Sequence, residues 1–194
     1  MNKLIPIQYL MAHVFFLIGW ASFYFSGVFS YSLIFYGFVL IPFLELILPR
    51  KTKFFFLSLD KEKNSFLYDF ILYLTVPFQF FSVLYFLYVI NDFQLTTYEL
   101  TGKVLSMGTL CGHAINVAHE LGHRTNKFEQ FLSKTLLLST LYMHFFIEHN
   151  RGHHTKVATI EDPASARKGE WIYLFFIRSI FYQYISAWKI EYQR

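Results

Sequence analysis

The longest uncharged stretch of the sequence does most to limit its fold. Residues 4–44 contain no Asp, Glu, Lys or Arg, and a helix needs about 20 mostly apolar residues to cross a bilayer. The stretch can therefore form two membrane-spanning helices, with a turn near Ser26-Gly27. At 55% hydrophobic, 22% aromatic and 15% charged residues, the chain is also too apolar for a soluble domain. We predict an integral membrane protein.

Basic residues between the apolar runs indicate how the chain crosses the membrane. Residues 50–63 carry five of them, and short loops rich in Lys and Arg stay cytoplasmic. The sequence predicts spans at about 4–26, 30–48, 67–90 and 102–120 in an all-α, polytopic transmembrane helical bundle whose N-terminus is cytoplasmic. The net charge of +4 fits this positive-inside pattern better than it fits nucleic-acid binding.

Seven of the eight histidines lie between residues 113 and 154. They fall in and between two blocks, H-A-I-N-V-A-H-E-L-G-H-R and E-H-N-R-G-H-H. Helical positions four apart point the same way within about 40°, so each block offers a pair of imidazoles on one face. The histidines at this spacing, with one neighbour, are His119, His123, His149, His153 and His154. Imidazole binds iron, zinc, copper and nickel, and five rings exceed what one tetrahedral zinc uses, which predicts two metals.

The two histidine blocks can share a site only if the chain between them bends. His149 follows His123 by 26 positions, and a straight helix of that length runs about 39 Å, past a hydrocarbon core of about 30 Å. We therefore predict a re-entrant or interfacial helix at about 128–148. The aromatic-rich segment at about 171–190 is interrupted by polar and basic side chains, which favours an amphipathic interfacial helix over a span.

The first histidine block also matches the H-E-x-x-H motif of zinc proteases, through His119, Glu120 and His123. In that motif two histidines bind zinc and the glutamate activates water. A zinc hydrolase needs one more ligand and an open position for water. This chain adds a block with three histidines instead, which is more than a zinc hydrolase needs. A membrane zinc protease is therefore kept only as an alternative.

A longer pattern resembles a known family. N-x-A-H-E-L-G-H-R, E-H-N-R-G-H-H and V-A-T-I-E-D-P-A-S-A-R-K-G-E together resemble the membrane-bound alkane monooxygenases, which belong with the integral-membrane fatty acid desaturases and hydroxylases. The resemblance covers residues from about 100 to 190. It implies a non-haem di-iron enzyme on the cytoplasmic side of the bacterial inner membrane. Such an enzyme uses O2 to oxidise the terminal methyl of a medium-chain alkane to a primary alcohol, with electrons from rubredoxin and rubredoxin reductase.

Carried over residue by residue, the resemblance assigns both histidine blocks to the iron site. The ligands it implies are His119, His123, His149, His153 and His154. Residues beside or near these ligands are candidates for outer partners that orient the rings through their second N–H. These candidates are Glu120, Glu148 and Asn116. Which residues act in catalysis, beyond the metal ligands, is unknown from the sequence.

The remaining histidines and the neighbouring basic residues have plainer interpretations. His113 and His144 lie six and five positions before the nearest ligand, off its helical face, so we expect them to be hydrogen-bonded core histidines. Several basic residues are expected at the cytoplasmic surface beside the site: Arg124, Arg151, Arg167 and Lys168. Solvated side chains or lipid headgroup contacts are the plain interpretation, and docking of an acidic electron carrier is the hypothesis.

The family pattern includes a third histidine box and a further histidine downstream. This sequence has no histidine after His154, so we expect it to supply part of the ligand set. An N-terminal portion of a longer protein is the favoured explanation, with a broken gene or ligands from another chain as alternatives. Two other functions stay open: a desaturase or hydroxylase of fatty acyl chains, and a non-catalytic membrane fragment.

Overall fold

A computed structural model describes residues 9–48 and 65–194, so the predicted basic loop lies outside the described residues. The described residues form helices and no strand, which confirms the all-α class. The chain divides into two compact units, unit 1 (Met1–His113) and unit 2 (Ala114–Arg194). Among the described residues, Gly27–Ile47 and Phe66–Ile90 are long and apolar enough to cross a membrane. The polytopic bundle itself stays a prediction.

Unit 1 consists of apolar helices that pack through aromatic side chains. They are α1 (Leu10–Tyr24), α2 (Gly27–Ile47), α3 (Ser65–Ile90) and the first part of α4 (Thr97–Gly122). The buried core of this unit is formed by Phe16, Phe23, Leu33, Met107 and Leu110. α2 and α3 occupy the positions of the predicted second and third spans, and the predicted fourth span falls within α4. α1 is a shorter apolar helix, and the first part of the predicted first span lies outside the described residues.

A buried lysine closes the end of α1. The Nζ of Lys103 donates hydrogen bonds to the carbonyl oxygens of Ser22, Phe23 and Phe25, at 3.2, 2.6 and 3.0 Å. The last carbonyls of a helix have no partner inside the helix, and a cation there also interacts favourably with the helix dipole. Lys103 is only 2% exposed because these three acceptors replace its water. It therefore holds the C-terminal end of α1 against α4.

Replacing Lys103 by methionine is expected to lower the free energy of unfolding by about 2–4 kcal/mol, because it removes the donor from the buried carbonyls of Ser22 and Phe23. Thermal unfolding in detergent measures this change. The matched control is Lys127→Met, which removes an exposed lysine and is expected to change stability by less than about 0.5 kcal/mol. Equal stability of the two variants would contradict the capping role of Lys103.

α4 begins within the segment that the sequence predicts as a loop before the fourth span. Its start is a capping box: the Glu99 N–H donates to Thr96 Oγ1, and the Thr96 N–H and hydroxyl donate to the Glu99 carboxylate. The other carboxylate oxygen of Glu99 accepts the Gly27 N–H at 2.7 Å. Gly27 has a φ of 63°, which glycine adopts without strain. The turn predicted near Ser26-Gly27 is therefore present and is held by α4.

Unit 2 contains the end of α4 and three further helices. α5 is Lys127–Ser139, and α7 is Ile172–Tyr192. Between them, α6 comprises the α-helical segment His144–Glu148, a π turn at His149–His153 and a last turn at His154–Lys156. α6 packs against α5 and α7.

The chain between the two histidine blocks folds as two helices with a sharp turn between them. α5 ends in a turn in which the Tyr142 N–H donates to Leu137 O at 2.8 Å and the Leu141 N–H donates to Leu138 O at 3.1 Å. Leu141 adopts a φ of 57°, a position where helices usually carry glycine. This turn supplies the bend that the separation of the two blocks requires, and it divides the single helix predicted at about 128–148.

Candidate metal centre

Nitrogen atoms from both histidine blocks form a small triangle in unit 2. The Nε2 of His119 lies 2.8 Å from the Nε2 of His123 and 2.8 Å from the Nε2 of His149. The third edge, between His149 and His123, is 3.0 Å. His119 and His123 lie one helical turn apart at the end of α4, as their spacing predicts. His149 is the first residue of the π turn of α6.

The last two predicted ligands lie beside this triangle. The Nε2 of His154 is 3.1 Å from the Nε2 of His149. The ring of His153 stacks on that of His149, with centroids 5.3 Å apart and an interplanar angle of 21°. The five predicted histidines therefore form one cluster, which we call the histidine cluster. The bend between α5 and α6 therefore allows the two blocks to share one site, as their separation in the sequence requires.

The donor set of the histidine cluster fits a metal ion. Donors at right angles around an ion with bonds of about 2.1 Å lie about 3.0 Å apart, and the edges of the triangle are 2.8–3.0 Å. A single ion can therefore contact His119, His123 and His149 on one face and keep other positions open. Imidazole donors suit iron, zinc, copper and nickel, and three histidines with an open position also occur in catalytic zinc sites.

The protonation state of His149 also suits a ligand. Burial, followed by the neighbouring rings of His119 and His154, lowers the pKa of His149 to about 3. Its imidazole is therefore neutral at physiological pH and carries the lone pair that metal binding requires. Protonated imidazoles at these distances repel one another. Deprotonation therefore favours metal binding, and metal binding favours deprotonation.

Asp162 is a residue of the site that the sequence analysis missed. Its Oδ2 is 2.8 Å from Nδ1 of His153. The Asp162 carboxylate also accepts a hydrogen bond from the Ser165 hydroxyl at Oδ2 and one from the Ala164 N–H at Oδ1. Burial alone would raise the pKa of the Asp162 carboxyl, but these hydrogen bonds outweigh burial and lower it. The carboxylate therefore fixes the His153 ring and leaves its Nε2 for a metal.

The sequence offered only a weak signal for Asp162. It is followed by Pro163, and Asp-Pro is typical of a turn in a polar loop. Nothing in the spacing from His153 distinguishes Asp162 from its exposed neighbour Glu161. Only the fold shows that Asp162 is buried and directed at an imidazole.

The three predicted outer partners occupy different environments. Glu120 is exposed, and its carboxylate lies 3.6 Å from Arg124. Asn116 is also exposed, whereas Glu148 is 1% exposed. None of the three has a described hydrogen bond to an imidazole in the part of the chain that the structure covers. Their roles as outer partners stay predictions.

Glu148 is a buried carboxylate of unit 2. Neither oxygen has a hydrogen bond of ordinary geometry among the described residues, although the Ser186 hydroxyl is close enough to act on its pKa. Burial and the nearby Asp162 carboxylate raise the pKa of Glu148. A Cβ on Gly152 would lie 2.6 Å from Glu148 Oε1. The glycine in the second histidine block therefore makes room for this carboxyl group.

His113 and His144 lie outside the histidine cluster, as expected. In unit 1, His113 stacks on Phe15 with ring centroids 5.6 Å apart and an interplanar angle of 2°. In unit 2, His144 packs edge-on against Tyr142 and Tyr184. Their Nε2 atoms are buried without a hydrogen bond among the described residues. The expected hydrogen bond is thus replaced, at Nε2, by aromatic packing.

Comparisons with known proteins identify the family. Residues 97–194 match the fatty acid desaturase family model. The chain is 41% identical over 137 residues to the alkane 1-monooxygenase of Ectopseudomonas oleovorans, covering 71% of this chain and 33% of the relative. It is 39% identical over 137 residues to that of Pseudomonas putida, with the same coverage. Alkane 1-monooxygenase 1 of Alcanivorax borkumensis is 40% identical over 127 residues, which is 66% of this chain and 31% of the relative.

The chain spans about one third of the length of these curated relatives. The family match nevertheless includes the whole histidine cluster and Asp162, since both lie within residues 97–194. The family resemblance inferred from the two histidine blocks is therefore confirmed. The chain belongs to the fatty acid desaturase family and is a relative of the alkane 1-monooxygenases.

Proposed function

We propose that this protein is an alkane 1-monooxygenase, which uses O2 to hydroxylate the terminal carbon of a medium-chain alkane at a histidine-bound di-iron site. The observation that carries the proposal is the histidine cluster, in which two distant blocks meet with the short nitrogen separations of a metal site. The relatives are alkane 1-monooxygenases, which supplies the reaction and the substrate class of the proposal.

The residues of the histidine cluster have different roles in binding metal. His119, His123 and His149 would hold one iron, while His153 and His154 extend the donor set towards a second. Iron supplies the activation of O2 that attack on an unactivated C–H bond requires. Asp162 fixes the His153 ring through Nδ1 at 2.8 Å. The Asp162 carboxylate would also compensate part of the positive charge of the irons, because neutral imidazole ligands carry no charge to balance it.

One side of the cluster is apolar. Phe145 stacks on His149, with ring centroids 4.7 Å apart and an interplanar angle of 13°. The same ring lies 6.0 Å from that of His119. Phe145 therefore keeps water from this side of the imidazoles, where a hydrocarbon is a better neighbour than water.

The same proposal includes the partners and the location. Electrons come from rubredoxin and rubredoxin reductase, and the protein lies in the bacterial inner membrane with its histidine cluster on the cytoplasmic side. Two helices apolar enough to span a membrane support membrane association. An alkane partitions into the bilayer, so an enzyme within the membrane meets its substrate at high local concentration.

Product analysis tests the proposed activity. Membranes containing the protein are supplied with octane, O2, NADH, rubredoxin and rubredoxin reductase, and products are identified by gas chromatography. We expect 1-octanol from the protein and none from His149→Ala. The matched control is His113→Phe, which keeps an aromatic ring against Phe15 and is expected to retain the product. Protein that binds both irons and forms no 1-octanol contradicts the proposal.

The family model favours a second candidate, a desaturase or hydroxylase of fatty acyl chains. The same metal site can remove two hydrogens instead of inserting oxygen, and the position of the substrate decides between the outcomes. A parallel assay with an acyl substrate separates the candidates. A new double bond or an in-chain hydroxyl, with no 1-octanol, supports this second candidate.

A further inference from the structure

A cationic cavity of about 650 Å³ adjoins the histidine cluster in unit 2. Its lining includes His123 and one carboxylate, that of Glu191. Four permanently basic side chains face the same space: Arg124, Lys134, Arg151 and Arg194. We call this space the cationic cavity. The excess of positive charge predicts an anionic occupant.

Two of the four basic side chains are already paired. Arg124 contacts Glu129 and Glu120, and Arg194 contacts Glu191 at 3.2 Å. Lys134 instead places its Nζ 4.7 Å above the ring of Phe146. Within residues 9–48 and 65–194, no carboxylate pairs with Lys134 or Arg151. These two side chains therefore supply the uncompensated charge of the cavity.

An apolar groove continues from the cationic cavity. The groove has a volume of about 310 Å³ and runs between α6 and α7. Met143, Ile147 and Glu191 line both spaces, so the groove and the cavity share a wall. The rest of the groove is formed mainly by Leu141, Tyr184, Ala187 and Trp188. Leu141 is 88% exposed and held in a left-handed conformation, so the turn directs an apolar side chain outward.

We propose that the cationic cavity and the apolar groove together bind one anionic phospholipid of the surrounding membrane. The phosphate lies between Lys134 and Arg151, and an acyl chain occupies the groove. Guanidinium and ammonium groups are the usual partners of phosphate. The exposed Tyr184 and Trp188 on α7 are of the type that sits at a membrane surface. An acidic carrier protein would use the charges but has no need of the adjoining groove.

The charge arm of the test uses the double variant Lys134→Gln with Arg151→Gln. The purified protein is titrated in detergent with long-chain phosphatidylglycerol or phosphatidylcholine, and the shift in melting temperature is followed. We expect phosphatidylglycerol to stabilise the protein more than phosphatidylcholine does. The double variant is expected to bind phosphatidylglycerol about 30-fold more weakly, because each of the two basic residues contributes about 1 kcal/mol and about 1.4 kcal/mol corresponds to a tenfold change.

A matched control carries the same loss of charge elsewhere. Lys127→Gln with Lys168→Gln removes two exposed lysines that do not line the cavity. This control is expected to keep the affinity of the unchanged protein. An equal loss in both double variants overturns the proposal, because it shows diffuse attraction to the whole basic surface. Retained phosphatidylglycerol binding with a loss of rubredoxin-dependent turnover also overturns it, in favour of a protein docking surface.

The groove arm separates a bound lipid from a bound phosphate. Trp188→Ser with Leu141→Ser is expected to lower the affinity for long-chain phosphatidylglycerol and to leave that for dihexanoyl phosphatidylglycerol unchanged. Inorganic phosphate is expected to give a smaller shift than the long-chain lipid at equal concentration. An equal shift from phosphate means that the groove contributes nothing, and the proposal is then wrong.

Discussion

Replacing His149 by alanine is expected to strip the purified protein of its metal. The Nε2 of His149 lies 2.8, 3.0 and 3.1 Å from those of His119, His123 and His154, so His149 is the central donor of the cluster. Losing an outer partner of a ligand costs about 10–100-fold in metal affinity, and we expect the loss of this ligand to cost more. Metal per chain is measured by inductively coupled plasma mass spectrometry after purification in detergent.

The control for His149→Ala is His113→Phe, which alters a histidine outside the cluster and is expected to retain the metal. The identity of the bound metal also distinguishes the candidate functions. Iron lost only from His149→Ala supports the proposed site. Stoichiometric zinc instead supports the zinc protease alternative, and equal metal content in both variants shows that the histidine cluster is not the binding site. A chain that binds no metal supports the non-catalytic alternative.

Replacing Asp162 by asparagine is expected to weaken metal binding by about 10–100-fold without unfolding the protein. Asparagine preserves the size of the side chain but loses the charge that holds the Nδ1–H of His153. The His153 ring then loses its preferred tautomer and orientation. Titration with Fe(II) and a competing chelator measures the change in affinity, and circular dichroism checks the helical fold.

Glu161→Gln is the matched control for Asp162→Asn. Glu161 is the preceding residue, is exposed and pairs with Lys156 at 3.4 Å, so its neutralisation removes the same charge a short distance away. We expect the control to bind metal like the unchanged protein. Equal weakening in both variants would mean that charge near the site matters and the hydrogen bond to His153 does not.

The helices that depend only on the length of an apolar run were predictable from the sequence. Long apolar runs predicted helices at the positions of α2 and α3, because a run of that length in a membrane has few other ways to satisfy its backbone hydrogen bonds. The start of α4 was not predictable by this route. Its first turns are polar, so hydropathy does not mark them as helical. The capping box between Thr96 and Glu99 marks the start of the helix instead. The sequence also places Lys103 at the start of the fourth predicted span without indicating its three carbonyl acceptors.

The site was predictable where spacing and side-chain chemistry coincide. His119 and His123 face the same way because helical periodicity requires it, and the distance argument showed that the next segment must bend. The position of the bend was not predictable, because Leu141 occupies a conformation that sequence patterns assign to glycine. Asp162 was missed for a related reason, since contacts across a polar loop follow no period.

The π turn at His149–His153 decides which histidine of the second block faces His149. In a regular α-helix His154, five positions later, would point about 140° away from His149. Because the hydrogen bonds of a π turn span five residues, the turn returns His154 to the side of His149, and the two Nε2 atoms lie 3.1 Å apart. Such turns are frequent at functional sites. A substitution that converts this turn into a regular α-helix of the same length would therefore remove His154 from the histidine cluster.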